Sequence, residues 1–220
     1  MKSTLAIGFS VSGLTGYLSH QEMMRLFQRC FIRAGLNLWF SRGFNPRPKM
    51  TIPLPRPVGV NSLAEIICVS IEQDENENFD SDETTRKLQK QLPEGVKIET
   101  LECCPGKKTF LPQSVEYVIS PKTECFDETV KTRVTAAAQT VKSGGPLPIR
   151  RTNPAKNIDK QLNAADYINS IETGNGEIVF DCSVTQSGSL RVDEMMELAG
   201  LKPEELAGPI LRRSVRWTTK

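Results

Sequence analysis

Histidine is almost absent from this 220-residue sequence, and His20 stands alone. With one imidazole there is no Ser-His-Asp signature to read and no histidine pair to share a metal. Six cysteines are present, at 30, 68, 103, 104, 125 and 182, and none are spaced as C-x-x-C. A closed zinc or iron–sulfur site needs paired ligands at short spacing, so the sequence predicts no metal and no resident cofactor. The C-x-x-x-C-x-x-C run of a radical-generating cluster is missing. So are a Walker A loop and a G-x-G-x-x-G turn after a strand. No apolar run approaches the ~20 residues of a membrane span. The apolar stretch after Met1-Lys2-Ser3 is short and broken by Gly8 and Ser10, so no signal peptide is read and a cytoplasmic location is expected. A chain of this length can bury a core without a disulfide framework. Cys30, Cys68 and Cys182 lie in apolar-periodic segments and are expected as small core residues.

What is present is an uneven distribution of charge. The formal net charge of +2 hides it. Residues 1–60 hold eight basic side chains against one acid, Glu22, whereas residues 61–105 hold four against eleven. Blocks of opposite sign either pair with each other or face a charged partner. A basic N-terminal third points to an anionic ligand; two solvated faces with no ligand are the alternative.

Periodicity gives the elements. Residues 4–11 alternate as a strand. Ser19 and Glu22 form a capping box that opens a helix over 21–34. One wide face of that helix is apolar, and Arg25, Arg29 and Arg33 recur every fourth residue on the other. Gly35 closes it. Strands are expected at 36–41, 65–71 and 96–101, with a short extended piece at 50–54 and a helix capped by Ser81 and running to 92. Residues 74–79 read as a polar acidic loop, and 107–112 as a linker. A second series follows: a strand at 115–119, a helix over 126–141, an extended piece at 147–151, a hairpin turning at Gly174-Asn175-Gly176, a helix over 192–199 and a strand over 210–218. The order repeats that of a split βαβ unit. The expected fold is α+β, with two tandem ferredoxin-like units of mainly antiparallel sheet over residues 1–105 and 113–220.

The segment from Ser41 to Lys49 carries the densest chemistry. Arg42, Asn45, Arg47 and Lys49 surround Phe44, Gly43 permits close backbone approach, and Pro46 and Pro48 stiffen the loop. Guanidinium groups beside an aromatic ring suit a nucleotide, the phosphate on arginine and the base on phenylalanine. The other reading is a surface loop whose phenylalanine plugs the core. Ser19 and His20 stand at a helix N-terminus, where free amides favour an anion and a neutral imidazole could act as acid or base; capping and packing is the other reading. Arg25, Arg29 and Arg33 extend that site or are a solvated face. Arg212, Arg213 and Arg216 form a second basic cluster. The last of these expectations is spatial: the loop should return to the helix N-terminus and bring Arg42, Arg47 and Lys49 near His20.

Ser19-His20, Arg33-Ala34-Gly35-Leu36, the run Ser41-Arg42-Gly43-Phe44-Asn45-Pro46-Arg47-Pro48-Lys49, Pro53-Leu54-Pro55 and Val58-Gly59-Val60 resemble the DUF2344 family of radical SAM-linked proteins. The likeness is dense over residues 5–70 and looser beyond. It implies a bacterial protein whose relatives are fused to, or encoded beside, a radical SAM protein. It supplies no catalytic residues. No radical SAM part is read in this sequence, so a partnership is expected in trans. The resulting expectation is a non-redox accessory protein that binds RNA through the loop and helix residues. A metal-independent ribonuclease using His20, and a pure protein-interaction subunit, are the alternatives.

Overall fold

Strand β1 (Lys2–Val11) shows how the first unit is built. Leu5, Ile7, Phe9 and Val11 alternate onto one face and are almost wholly buried. The computed structural model describes residues 2–72, 79–153 and 158–220. Its chain divides into two units, Met1–Pro112 with Trp217–Lys220, and Gln113–Arg216.

In the first unit β1 leads through a short 3₁₀ turn into helix α1 (His20–Arg33). The capping box is formed: the Glu22 amide donates to Ser19 Oγ at 3.3 Å, and the Ser19 amide donates to Glu22 Oε2 at 2.8 Å. α1 buries Met23, Phe27, Cys30 and Phe31. The Phe27 ring meets Phe9 edge-on with centroids 4.7 Å apart, so helix and strand share one core. Strands β2 (Met50–Thr51), β3 (Asn61–Glu72) and β4 (Val96–Pro105) and helix α2 (Ser81–Gln89) complete this unit. The sheet order is β4-β1-β3, β2 pairs with β3, and every pairing is antiparallel.

Residues 36–41 are not a strand; only isolated bridges Leu38↔Ile71 and Phe40↔Pro48 form. Pro46 and Pro48 on the returning chain have no amide hydrogen, so a continuous ladder cannot propagate. α2 is capped by Asp80 rather than Ser81, the Asp80 carboxylate accepting from the Glu83 amide at 2.8 Å. The expected linker at 107–112 is cut short by strand β5 (Phe110–Ile119). Its start is paired from far away in sequence: Thr109 and Lys220 exchange amide–carbonyl bonds of 3.0 Å. Residues 74–78 of the expected acidic loop lie outside the described residues.

The second unit contains most of β5, then α3 (Glu128–Ser143), β6 (Pro148–Asn153), β7 (Ile158–Asn163), β8 (Ile168–Gly174), β9 (Glu177–Ser183), α4 (Val192–Ala199) and β10 (Leu211–Thr219). Its strands run in the order β10-β5-β9-β8, while β6 and β7 form a sheet of their own. The β8–β9 turn is as expected: Asn175 (φ +52°) and Gly176 (φ +78°) both take the left-handed conformation that tight hairpins need. Arg151 on β6 forms a bidentate pair with Glu194 on α4, at 2.5 and 2.7 Å. The basic cluster expected on β10 does not form. Arg212 is buried and donates to Tyr117, Arg213 pairs with Glu116 at 2.5 Å, and Arg216 lies 3.9 Å from Asp181.

The fold is therefore α+β, as expected, and the pairings β1–β3, β1–β4, β2–β3, β5–β9, β6–β7 and β8–β9 are antiparallel. It does not divide cleanly into two ferredoxin-like units. β2 is only two residues long, because Pro53, Pro55 and Pro57 end it, and the β6–β7 hairpin has no counterpart among the described residues of the first unit. No helix among the described residues is long and apolar enough to cross a membrane.

Candidate anion-binding groove

The sequence-flagged residues of the first unit fall in three places. The crevice at the α1 N-terminus is lined by Ser19 and His20 together with Glu65, Ile52 and Arg56. Its volume is about 10 Å³, room for a water molecule and no more. The arginine beside His20 is thus Arg56, not Arg42 or Arg47. Arg56 is committed to structure: its guanidinium donates to the carbonyls of Thr15, Gly16, Leu18, Pro57 and Val60. This arrangement ties the 3₁₀ turn to the chain entering β3, while His20 itself is exposed to solvent.

Arg25, Arg29 and Arg33 share a second depression, of about 320 Å³, with Glu22 and Gln91. All three are exposed, and none has an ion-pair partner among the described residues.

The loop lies elsewhere. Its base is closed by the Ser41 amide donating to the Arg47 carbonyl at 2.8 Å, and the Arg47 amide donating to Ser41 Oγ at 3.0 Å. Gly43 has φ +149°, a conformation that glycine takes without strain. Phe44 is wholly exposed at the loop's turn rather than plugging the core, and Arg42, Asn45 and Arg47 are exposed with it. The Lys49 amide donates to the Trp39 carbonyl, and the Ser70 amide to the Lys49 carbonyl, at 2.9 and 2.8 Å. These bonds pin the loop base at the level of Ser70 on β3. The His20 crevice is lined by Phe9 and Glu65, which pair with each other on β1 and β3. Thr4 pairs with Ser70, five residues from Phe9 along β1, about 17 Å at ~3.3 Å per residue. The expected approach of the loop to His20 therefore does not occur. The chain leaving α1 forms no strand that would carry it back, and the loop stays at the opposite end of the sheet.

The loop base instead opens onto a groove of about 800 Å³, lined by Lys2, Lys49, Lys107 and Lys108, with no carboxylate in its wall. Thr4, Cys68 and Ser70 contribute, and these alternate with the core-facing Leu5, Val69 and Ile71. The groove is thus on the sheet face opposite the helices. Met50, Pro53, Phe110 and Leu111 add apolar surface. Lys108 bonds Glu102 at 2.8 Å, which holds the Glu102 carboxyl below its ordinary range and the Lys108 ammonium above. Lys108 also lies over the Phe110 ring at 5.3 Å, and Lys2 over Trp39 at 5.5 Å. Lys49 and Lys107 have no ion-pair partner among the described residues. Cys68 at the groove wall is buried, and desolvation pushes its thiol up to about 11, so it is a poor nucleophile at neutral pH. Among the described residues no three His, Cys, Asp or Glu side chains converge as a metal-ligand group.

Residues 5–193 match the family described as "Uncharacterized protein conserved in bacteria (DUF2344)". The chain belongs to the DUF2344 family. No curated protein matches it. A solved structure described as an unknown protein from Galdieria sulphuraria is similar at 11% identity with a TM-score of 0.28, over 83% of this chain and 81% of that one.

Within this DUF2344 chain, Lys49 is the flagged residue that reaches the groove. Sequence reasoning missed Lys2, Lys107 and Lys108 because they lie some hundred positions apart, and only the pairing of β1 with β4 brings them together. The adjacent lysines at 107 and 108 sit in the segment read as a linker. Arg56 was missed because most of its carbonyl partners, Thr15, Gly16 and Leu18, lie about forty positions away in sequence.

Proposed function

We propose that this protein is a non-redox accessory factor that binds an anionic ligand, and that the ligand is RNA held by the lysine groove and the adjoining loop. The observation that carries the reading is the groove itself: four lysines around one concave surface, of which only Lys108 has a carboxylate partner, Glu102, joined through Lys49 to a loop presenting Arg42, Asn45, Arg47 and an exposed Phe44. Uncompensated like charges repel, so their convergence is favourable chiefly when an anion occupies the site. The family resemblance adds a separate radical SAM protein as the partner in trans, to which this chain would present its RNA. We also read the two units as variants of the split βαβ arrangement, on the strand orders β4-β1-β3 with β2 on β3, and β10-β5-β9-β8. A ribonuclease finds less support, because the loop that carries Arg42, Arg47 and Lys49 is pinned at Ser70, away from the Phe9–Glu65 level where His20 stands.

Fluorescence anisotropy of a labelled RNA across a salt titration tests the reading. Each phosphate contact on a single strand contributes about −0.7 to the slope of log K against log salt. The full-length protein should bind with a slope of about −2 to −4. Lys49→Glu with Lys107→Glu should reduce affinity at least about tenfold and flatten that slope. Binding by the double variant equal to wild type at every salt concentration would refute the groove.

A further inference from the structure

We infer that the lysine groove is a nucleotide subsite: it takes one unpaired nucleotide, the base against the wall of Met50, Pro53, Phe110 and Leu111, and the phosphate on Lys2, Lys49 and Lys107. The inference rests on the reading that the groove binds an anion, and it narrows the chemistry of that anion.

Charge alone asks only for a phosphate. Lys108 is already compensated by Glu102 at 2.8 Å, which leaves the other three lysines to a ligand. A bare phosphate or a duplex backbone would satisfy those lysines yet leave the apolar wall in water. The volume of about 800 Å³ lies in the range of pockets that enclose an organic ligand, and is far larger than one phosphate needs. A ligand that gains from both surfaces must carry an anion and a flat apolar face together.

A nucleotide has both, but only when its base is free. In a duplex the bases stack inside and the outer surface offers phosphate and sugar; an unpaired base can be splayed onto a protein surface. Phe110 is also held in place for this use. Trp217 meets it edge-on at 6.3 Å, and Lys108 lies over its face. A ring fixed before binding loses little entropy when a base packs on it. The hydroxyls of Thr51, Ser70 and Thr109 line the same groove and can bond a base edge or a ribose, whereas Thr4 Oγ1 already donates to the Gly106 carbonyl at 2.6 Å.

The nucleotide could be a free one or an unpaired residue of an RNA strand. Competition against a labelled single-stranded RNA bound to the full-length protein separates these sources. The competitors are the same RNA as a duplex, a nucleoside monophosphate, and inorganic polyphosphate of matched charge; direct binding of each is measured as well. The single strand should compete at least about tenfold better than duplex or polyphosphate. Phe110→Ala should weaken the single strand about tenfold and leave polyphosphate binding unchanged. Monophosphate binding without RNA binding supports the subsite and rejects RNA. Equal competition by duplex, polyphosphate and single strand overturns the subsite while the anion-binding reading stands. If even polyphosphate fails to bind, both fall. Because Phe110 packs on Trp217, Phe110→Ala could unfold; the wild-type competition then decides on its own, and Phe110→Trp should keep single-strand affinity.

Discussion

Arg151 and Glu194 show how one buried ion pair ties a hairpin to a helix. Their side chains are 10% and 4% exposed, and Arg151 also donates to the Ser189 carbonyl at 3.0 Å. Burial pushes the Glu194 carboxyl up, but the bonds from Arg151 and from the Arg191 amide outweigh it and hold the group below its ordinary range. A carboxylate depressed on folding contributes stability above its unfolded pKa of ~4.3 and loses it as pH falls through the lower folded value. Urea denaturation should therefore show stability falling below about pH 4. Glu194→Gln should remove this group's share of that pH dependence and cost about 3 kcal/mol at pH 7, because the Arg151 cation is left buried without its counter-charge. An unchanged midpoint at both pH values would show that the pair is dispensable.

At the scale of elements, the loop between α1 and β2 is where local rules and long-range pairing meet. Its tip is exposed and its base is fixed on Ser70. Arg47 holds the base through its backbone, leaving its side chain at the surface. Arg47→Ala should therefore leave the melting temperature nearly unchanged while the salt slope of RNA binding flattens by about 0.7, one phosphate contact. An unaltered slope would mark the loop as structural. The capping box of α1 and the turn between β8 and β9 were legible from sequence because each is set within a few residues. The failure at 36–41 has the opposite cause: an apolar, strand-like pattern was present, but the prolines that return from the loop deny it a ladder.

Across the whole molecule, the charge blocks seen in the sequence matter through where they converge. Lys131→Glu with Lys160→Glu changes formal net charge as much as Lys49→Glu with Lys107→Glu does. Neither Lys131 nor Lys160 lines the groove. Exposed charges act only over about a Debye length, ~8 Å at physiological salt. The first pair should leave RNA affinity within about twofold, while the second abolishes most of it. Equal losses from both pairs would mean that binding follows net charge and not a site.

Local chemistry alone determined the α+β class, α1 with its Ser19–Glu22 box, the hairpin turn at Asn175-Gly176, the burial of Cys30, Cys68 and Cys182, and an exposed basic loop. Periodicity, capping and turn geometry act over a few residues, so they can be read without partners. Only the tertiary structure decided that Arg56 and not Arg47 stands beside His20, that Arg212 is buried, and that Lys2, Lys107 and Lys108 join Lys49 around one groove. Those outcomes depend on which strands pair and in what register, and a register is fixed by burial across the whole sheet rather than by any one segment.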